Sequence, residues 1–422
     1  MAVTGPAAEL FEGDVKTGGD FTTNDGVTKC SIADCCNADC GESYKLCPLN
    51  VKNSKVIREL FDFTRPKSHK GHDITIGLGD RLGLASAGHI RLLENYNVFP
   101  VLAQQSMREL NLTGRTYEDV LASAVWAVFR EGYTKGYGAD GDHLKTHEEV
   151  KYAVDNGFSM ITLDCSEHIS DGLEAVVKFA EDIYNTHLRG KDIDFELSID
   201  ETQTVTTPQD HLFVAEALKR AGVEVVSLAP RFVGEFQKGI DYRGDVAEFE
   251  RDFRVHAEIA EKFGYKLSVH SGSDKFSVFP IVGKITSGKY HLKTAGTNWL
   301  EAVRVIADKE PVLYREMHLF ALENLEEARK YYHITCDLSK IADITDVLDS
   351  SLPAYMDEDN ARQVLHITYG LLLQAKNNDG SLRFRDRIYD TLKKHETEYM
   401  TALEKHIGRH LTELGVKPVC MQ

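Results

Sequence analysis

The feature that most constrains this chain is a rhythm of eight short apolar runs, most of them separated by helix-patterned segments and each trailed by polar residues. The runs are 73–77, 99–103, 136–139, 159–163, 195–199, 223–228, 266–269 and 288–290. The intervening helices announce themselves by their ends. Thr116 can cap a helix running to Glu131, with Asp119 at the capping-box position and Leu121, Ala124, Val125 and Val128 on one face. Thr146 caps the next, which Gly157 ends. Thr207-Pro208 opens one that Gly222 closes, a long helix to Lys262 stops at Gly264, and Thr297 is expected to cap another through Ile306. Strands alternating with helices pair in parallel. Eight is the number at which such a sheet closes, so the expected fold is α/β, a (β/α)8 TIM-like barrel. An open doubly wound sheet would need a glycine-rich phosphate loop by its first strand, and Gly77-Leu78-Gly79 does not supply one.

The rhythm covers only part of the 422 residues. Residues 1–70 carry little apolar periodicity and read as an irregular, Cys-rich segment; 71–300 are the catalytic barrel; 301–422 read as a helical C-terminal extension packed on it. Five of the eight cysteines (Cys30, Cys35, Cys36, Cys40 and Cys47) crowd the first segment without paired C-x-x-C spacing, so a zinc ribbon is not indicated. The isolated Cys165, Cys336 and Cys420 fit reduced thiols. A net charge of −17 argues against a nucleic-acid or anionic-membrane partner. No apolar run is long enough to span a bilayer, and the first 25 residues lack an export signal, so a cytoplasmic location is expected.

In a parallel barrel, ligands bind at the C-terminal ends of the strands. The densest cluster there is Gly138-Ala139-Asp140-Gly141-Asp142-His143-Leu144-Lys145-Thr146, where Gly138 and Gly141 are expected to allow a sharp turn. Most polar residues after strands are plain caps and turns. Three histidines near the ends of three different strands are harder to read that way. His143, His270 and His291 would converge on one mouth as ligands of Zn²⁺, Mn²⁺, Ni²⁺ or Fe²⁺, leaving positions open for substrate oxygens. His147, His168 and His211 fall in or beside helix starts and read as structural. Of His318, His333 and His366 in the extension, His366 is the one best placed to reach the mouth.

Gly79-Asp80-Arg81-Leu82-Gly83, Ala103-Gln104-Gln105-Ser106, Thr113-Gly114-Arg115-Thr116 and, above all, Gly138 to Thr146 resemble the tagaturonate epimerase family. Leu228-Ala229-Pro230-Arg231-Phe232, His270-Ser271-Gly272-Ser273-Asp274-Lys275 and Lys293-Thr294-Ala295-Gly296-Thr297 continue the likeness, which runs from about residue 70 to about 375. The resemblance implies interconversion of D-tagaturonate and D-fructuronate with a divalent metal. It also sets an acid/base beside a metal ligand at Asp142-His143. Our own placement adds Glu235 as the second acid/base and His270 and His291 as the remaining ligands. Arg81, Gln105, Lys145, Arg231, Lys275 and Lys293 are the candidates for holding substrate. The inverted carbon lies β to the ketone, so its C–H is not acidified, and retro-aldol cleavage followed by re-addition is the expected route. The alternatives are a metal-dependent aldolase or isomerase acting on a related sugar acid, and a non-catalytic sugar-acid or metal-binding protein. The expected partner is a small keto-hexuronate, with a homo-oligomer allowed.

Overall fold

The structure is a computed structural model and describes residues 1–4, 6–17, 20–22, 29–31, 43–200, 204–294 and 296–419. The chain divides into two compact units, Met1–Arg65 and Pro66–Gln422. The first is less irregular than its composition suggests. It holds an antiparallel sheet of Ala2–Val3, Ser43–Leu46 and Asp14–Thr17, and a helix at Val51–Leu60 whose cap, Asn50, accepts from the Asn53 N–H. Cys47 is a buried free thiol there. The side chains of Cys30, Cys35, Cys36 and Cys40 lie outside the described residues, and with them the question of a cluster.

The second unit is a closed parallel barrel. Its strands are β1 (Ile74–Leu78), β2 (Phe99–Ser106), β3 (Gly138–Leu144), β4 (Met160–Asp164), β5 (Asp194–Ile199), β6 (Ser227–Pro230), β7 (Lys266–Val269) and β8 (Tyr290–Thr294). Each pairs with its neighbours in sequence, and β8 closes on β1 with Tyr290 opposite Ile74 and Thr294 opposite Leu78. The local chemistry explains the connecting helices. Helix α1 (Tyr117–Glu131) starts at a complete capping box between Thr116 and Asp119 and buries Val120, Leu121, Ala124, Val125 and Val128 against the sheet. Gly132 ends it at φ 62°, a conformation that costs a residue with a Cβ about 1–2 kcal/mol. Helices α2 (His147–Asp155) and α3 (Pro208–Ala221) start on capping boxes at Thr146 and Thr207, and α4 (Val246–Phe263) on Asp245.

Four strands run clearly further toward the mouth than the apolar pattern indicated, the second reaching Ser106 rather than ending at Ala103. The third extends through Asp140 and Asp142 to Leu144, the sixth begins only at Ser227, and the eighth spans Tyr290–Thr294 rather than ending at Tyr290. In the second, third and eighth of the barrel the residues that line the cavity, Gln104, Asp142 and Lys293, are polar, and that hides these extensions from a search for apolar runs. Gly141 does not make a turn. A Cβ there would meet Ala153 of α2 at 2.9 Å, so the glycine lets that helix pack close on β3.

The C-terminal helices belong to the same unit as the barrel. Helices α5 (Thr297–Lys309), α6 (Pro311–Glu323), α7 (Asp359–Ile367), α8 (Tyr369–Gln374), α9 (Arg385–Lys394) and α10 (Glu396–Glu413) share one apolar core that includes Trp299, Tyr314, Met317, Leu365 and Leu372 and takes in Leu82 and Ala85 from the loop after β1. Each such side chain contributes roughly 1.5–3 kcal/mol by leaving water, which fixes this layer over the barrel mouth. No helix among the described residues is long and apolar enough to cross a membrane.

Candidate active site

A cavity of about 400 Å³ opens at the C-terminal ends of the strands, a volume suited to a six-carbon sugar acid. Its floor is built by side chains that alternate into the barrel. On β3 these are Asp140 and Asp142; on β5, Glu196 and Ser198, with Asp200 just past its end; on β8, Lys293 comes two residues after His291. The ladder between β3 and β4 shifts register between Gly141 and Leu144, and His143 within that bulge has φ 52°. Such a backbone is strained for a residue with a side chain and is retained where the surroundings enforce it. Its effect is to turn two consecutive side chains, Asp142 and His143, toward the same cavity.

Three carboxylates and one lysine meet here. Lys293 Nζ donates to Asp142 Oδ1 at 2.7 Å and Asp140 Oδ2 at 2.8 Å, and lies 3.0 Å from Glu196 Oε1. Thr162 Oγ1 donates to Asp140. Burial would raise the Asp142 carboxyl, but the Lys293 charge, then His143, overrides it and holds the group well below the usual carboxylate range. Asp140 lies deeper, and burial pushes it up to about 6 despite Lys293.

His143 and His270 are arranged alike. His143 Nδ1 donates to Asp142 Oδ1 at 2.8 Å, leaving Nε2 3.6 Å from Asp200 Oδ1. His270 Nε2 donates to Glu196 Oε1 at 2.7 Å, leaving Nδ1 3.3 Å from the same Asp200 oxygen. The rings are 4.8 Å apart. One ligand atom from each of His143, Asp200 and His270 falls within 4.8 Å of the others. Two imidazoles and a carboxylate, each imidazole braced by a second carboxylate on its far nitrogen, suit a divalent cation. The local charge agrees. Burial opposes it, yet Asp142 and Asp200 push the His143 imidazole well above its ordinary value, so the cluster draws in positive charge.

Not every expected residue meets this group. His291 sits lower in the barrel because β8 extends past it. Its Nδ1 is 2.8 Å from Thr75 Oγ1, its ring stacks on His69 at 5.7 Å, and it does not line the mouth. Burial keeps it well below the ordinary histidine value, Glu196 opposing and Lys293 and His69 adding to the effect. Asp200 stands where His291 was expected. Gln105 gives way to Gln104 by strand alternation: Gln104 lines the cavity and donates to Asp142 Oδ2 at 3.4 Å, while Gln105 is buried and its carbonyl accepts from Tyr117. Lys275 is wholly buried with its ammonium spent on the carbonyls of Ile240, Ser273 and Gln237. Lys145 pairs with Glu167 at 2.8 Å outside the cavity. Arg81, Arg231, Glu235 and Lys293 line it, Glu235 from an exposed loop where Gln237 donates to its carboxylate. Asp140 and Asp200 follow strands at the expected mouth but carry no assigned role in the sequence reading, and Glu196 is not among its site residues. Their signal is a polar residue at every second position of a buried strand.

Comparison with known proteins follows the same lines. A family profile described as tagaturonate epimerase matches residues 21–176 and 172–414. A tagaturonate/fructuronate epimerase of Thermotoga maritima is 41% identical over 423 residues, covering 88% of this chain and 86% of its own. The glycerol-complexed crystal structure of a fructuronate-tagaturonate epimerase from Cohnella laeviribosi superposes with a TM-score of 0.89 at 46% identity, covering 98% of this chain and 91% of that one. The native crystal structure of the Cohnella enzyme gives 0.88 over the same shares. This chain belongs to the tagaturonate epimerase family and is an epimerase of the isomerase class.

Proposed function

We infer that this protein interconverts D-tagaturonate and D-fructuronate, using a divalent cation held by His143, Asp200 and His270 with Asp142 as base. The observation that carries the reading is the convergence of three ligand atoms within 4.8 Å beside a carboxylate kept ionised by Lys293. The ligand set keeps His143 and His270 and takes Asp200 in place of His291. A cation at this position would act as a Lewis acid toward the substrate's ketone.

The chain's own residues account for the proton traffic. Asp142 accepts the proton of the hydroxyl on the inverted carbon. The bond from that carbon to the carbon next to the ketone then breaks, its electron pair forming an enolate and leaving an aldehyde. The aldehyde turns, the enolate carbon re-adds to its other face, and the new alkoxide takes a proton from Glu235; Asp142 then releases its proton to solvent and Glu235 regains one, which restores the starting state. Atoms and charge balance without a redox cofactor. Arg81 and Arg231 line the same cavity and supply positive charge for the substrate carboxylate.

The test is proton NMR of tagaturonate incubated with the protein and Mn²⁺, Ni²⁺ or Zn²⁺, together with metal analysis of the purified protein. Fructuronate should appear. Asp142→Asn and His143→Ala should fold and lose about 10²–10⁴-fold in turnover. Full activity in either variant, or undiminished activity after chelation, refutes the assignment. Accumulating fragments would identify an aldolase, and binding without products a non-catalytic protein.

A further inference from the structure

His366 reaches the catalytic cavity from outside the barrel. It sits on α7, one turn after Arg362, whose Nε donates to the Gly239 carbonyl at 2.7 Å and so seats that face of the helix on the loop after β6. The imidazole is 1% exposed and wedged between two glycines. A Cβ on Gly239 would lie 3.2 Å from its Nδ1, and one on Gly296 only 2.1 Å from its Nε2. The same added atom on Gly296 would lie 3.1 Å from Arg81 Nη2, so the two nitrogens flank a single point at the cavity wall.

Arg81 is held in place from three sides. Its Nε donates to Glu109 Oε1 at 3.1 Å, its Nη1 to the His366 carbonyl at 3.2 Å, and its plane lies 3.6 Å over Tyr369. His366, by contrast, makes no hydrogen bond through either ring nitrogen among the described residues. A buried N–H left without an acceptor costs about 1–3 kcal/mol, and a neutral imidazole has one. The charged groups that act most on it are cations. Burial, then Arg81, Lys238, Arg362 and Lys275, keeps its pKa well below the ordinary histidine value. Glu109 pairs with Arg81 and Asp274 with Arg362, while Asp140, Asp142 and Glu196 gather around Lys293.

We propose that His366, beside Arg81, is a specificity-determining residue that binds the carboxylate of the substrate and sets the preference for a keto-uronate over the neutral ketose of the same configuration. This rests on the reaction proposed above, in that the substrate bears one carboxylate and presents its ketone end to the His143–Asp200–His270 cluster. The carboxylate end then lies at the positive wall, where it accepts the imidazole N–H and offsets the surrounding cations.

The experiment is calorimetric titration of the full-length protein with tagaturonate and with D-tagatose, alongside steady-state kinetics of epimerisation. His366→Leu keeps the bulk but removes the donor; His366→Asn keeps a donor in a smaller side chain and serves if the leucine variant is unfolded by circular dichroism. The expected result is that His366→Leu weakens tagaturonate binding and raises its KM by about 10- to 100-fold, with kcat changed less than threefold and tagatose binding unmoved, while His366→Asn recovers part of the loss. Equal weakening toward both sugars, or a change under twofold toward tagaturonate, overturns the proposal. The binding arm reads the carboxylate subsite even if the wild-type protein turns over no tagaturonate, so failure of the reaction assignment registers separately.

Discussion

Replacing Lys293 by methionine tests the electrostatic frame of the site most directly. The ammonium meets carboxylate oxygens at 2.7, 2.8 and 3.0 Å and is almost wholly buried. At an effective dielectric constant of about 20, each contact is worth roughly 6 kcal/mol before other costs. Desolvating the ammonium and crowding three carboxylates consume most of that total. What survives is the cost of leaving buried charges unpaired, about 3–5 kcal/mol when one partner is removed. With three oxygens sharing one cation, Lys293→Met should lie near 5 kcal/mol, since methionine retains the volume and adds little packing penalty of its own. The assay is urea unfolding with chelator in both samples, so that ligand binding does not enter, followed by circular dichroism with the slope checked for constancy. Adding Asp140→Asn to the variant removes one uncompensated charge and should restore about 1–2 kcal/mol, a coupling of the size found within charge networks. A loss below about 1 kcal/mol, or no recovery in the double variant, would refute the account of Lys293 as the counter-ion of the whole cluster.

Other outcomes follow from features described above or nearby. Although burial works against it, Asp274 at 2.7 Å raises the pKa of His406 above the ordinary value. A group raised on folding stabilises below its unfolded pKa, about 6.5, and loses that contribution as pH rises through its folded value. His406→Gln should therefore cost about 1–3 kcal/mol at pH 6 and less at pH 9; equal penalties at both pH values in urea titrations would count against it. Gln104→Leu should lower kcat/KM by about tenfold or more through the lost contact to Asp142, while Gln105→Leu should leave it near wild type. The opposite ranking in initial-rate assays would mean that the strand is read one residue out of phase. Thr116→Ala removes the cap of α1 and should lower stability by about 1 kcal/mol with specific activity intact, as thermal unfolding and rate measurements would show.

The scaffold was legible in the sequence wherever apolar periodicity and end signals coincide. Thr116, Thr146, Thr207 and Gly222 act as read, and the eight strands close in sequence order. Legibility failed where strands enter the site. Asp140, Glu196 and Lys293 occupy the inward positions that normally carry valine or isoleucine, so the apolar signal fades where the chemistry begins. That shifted the boundaries of β3 and β8 and lifted His291 on paper to a height that Lys293 holds in space. Lys275 illustrates a second limit. Its surroundings are backbone carbonyls, which no pattern of side chains announces.

Asp274, with its left-handed backbone at φ 59°, binds Arg362 of α7 through one oxygen and His406 of α10 through the other, while its own N–H donates to His410. A single residue thus rivets the segment after β7, which begins at His270, to two helices more than eighty positions downstream. A segment fastened at that point cannot serve as the door through which a sugar enters or leaves.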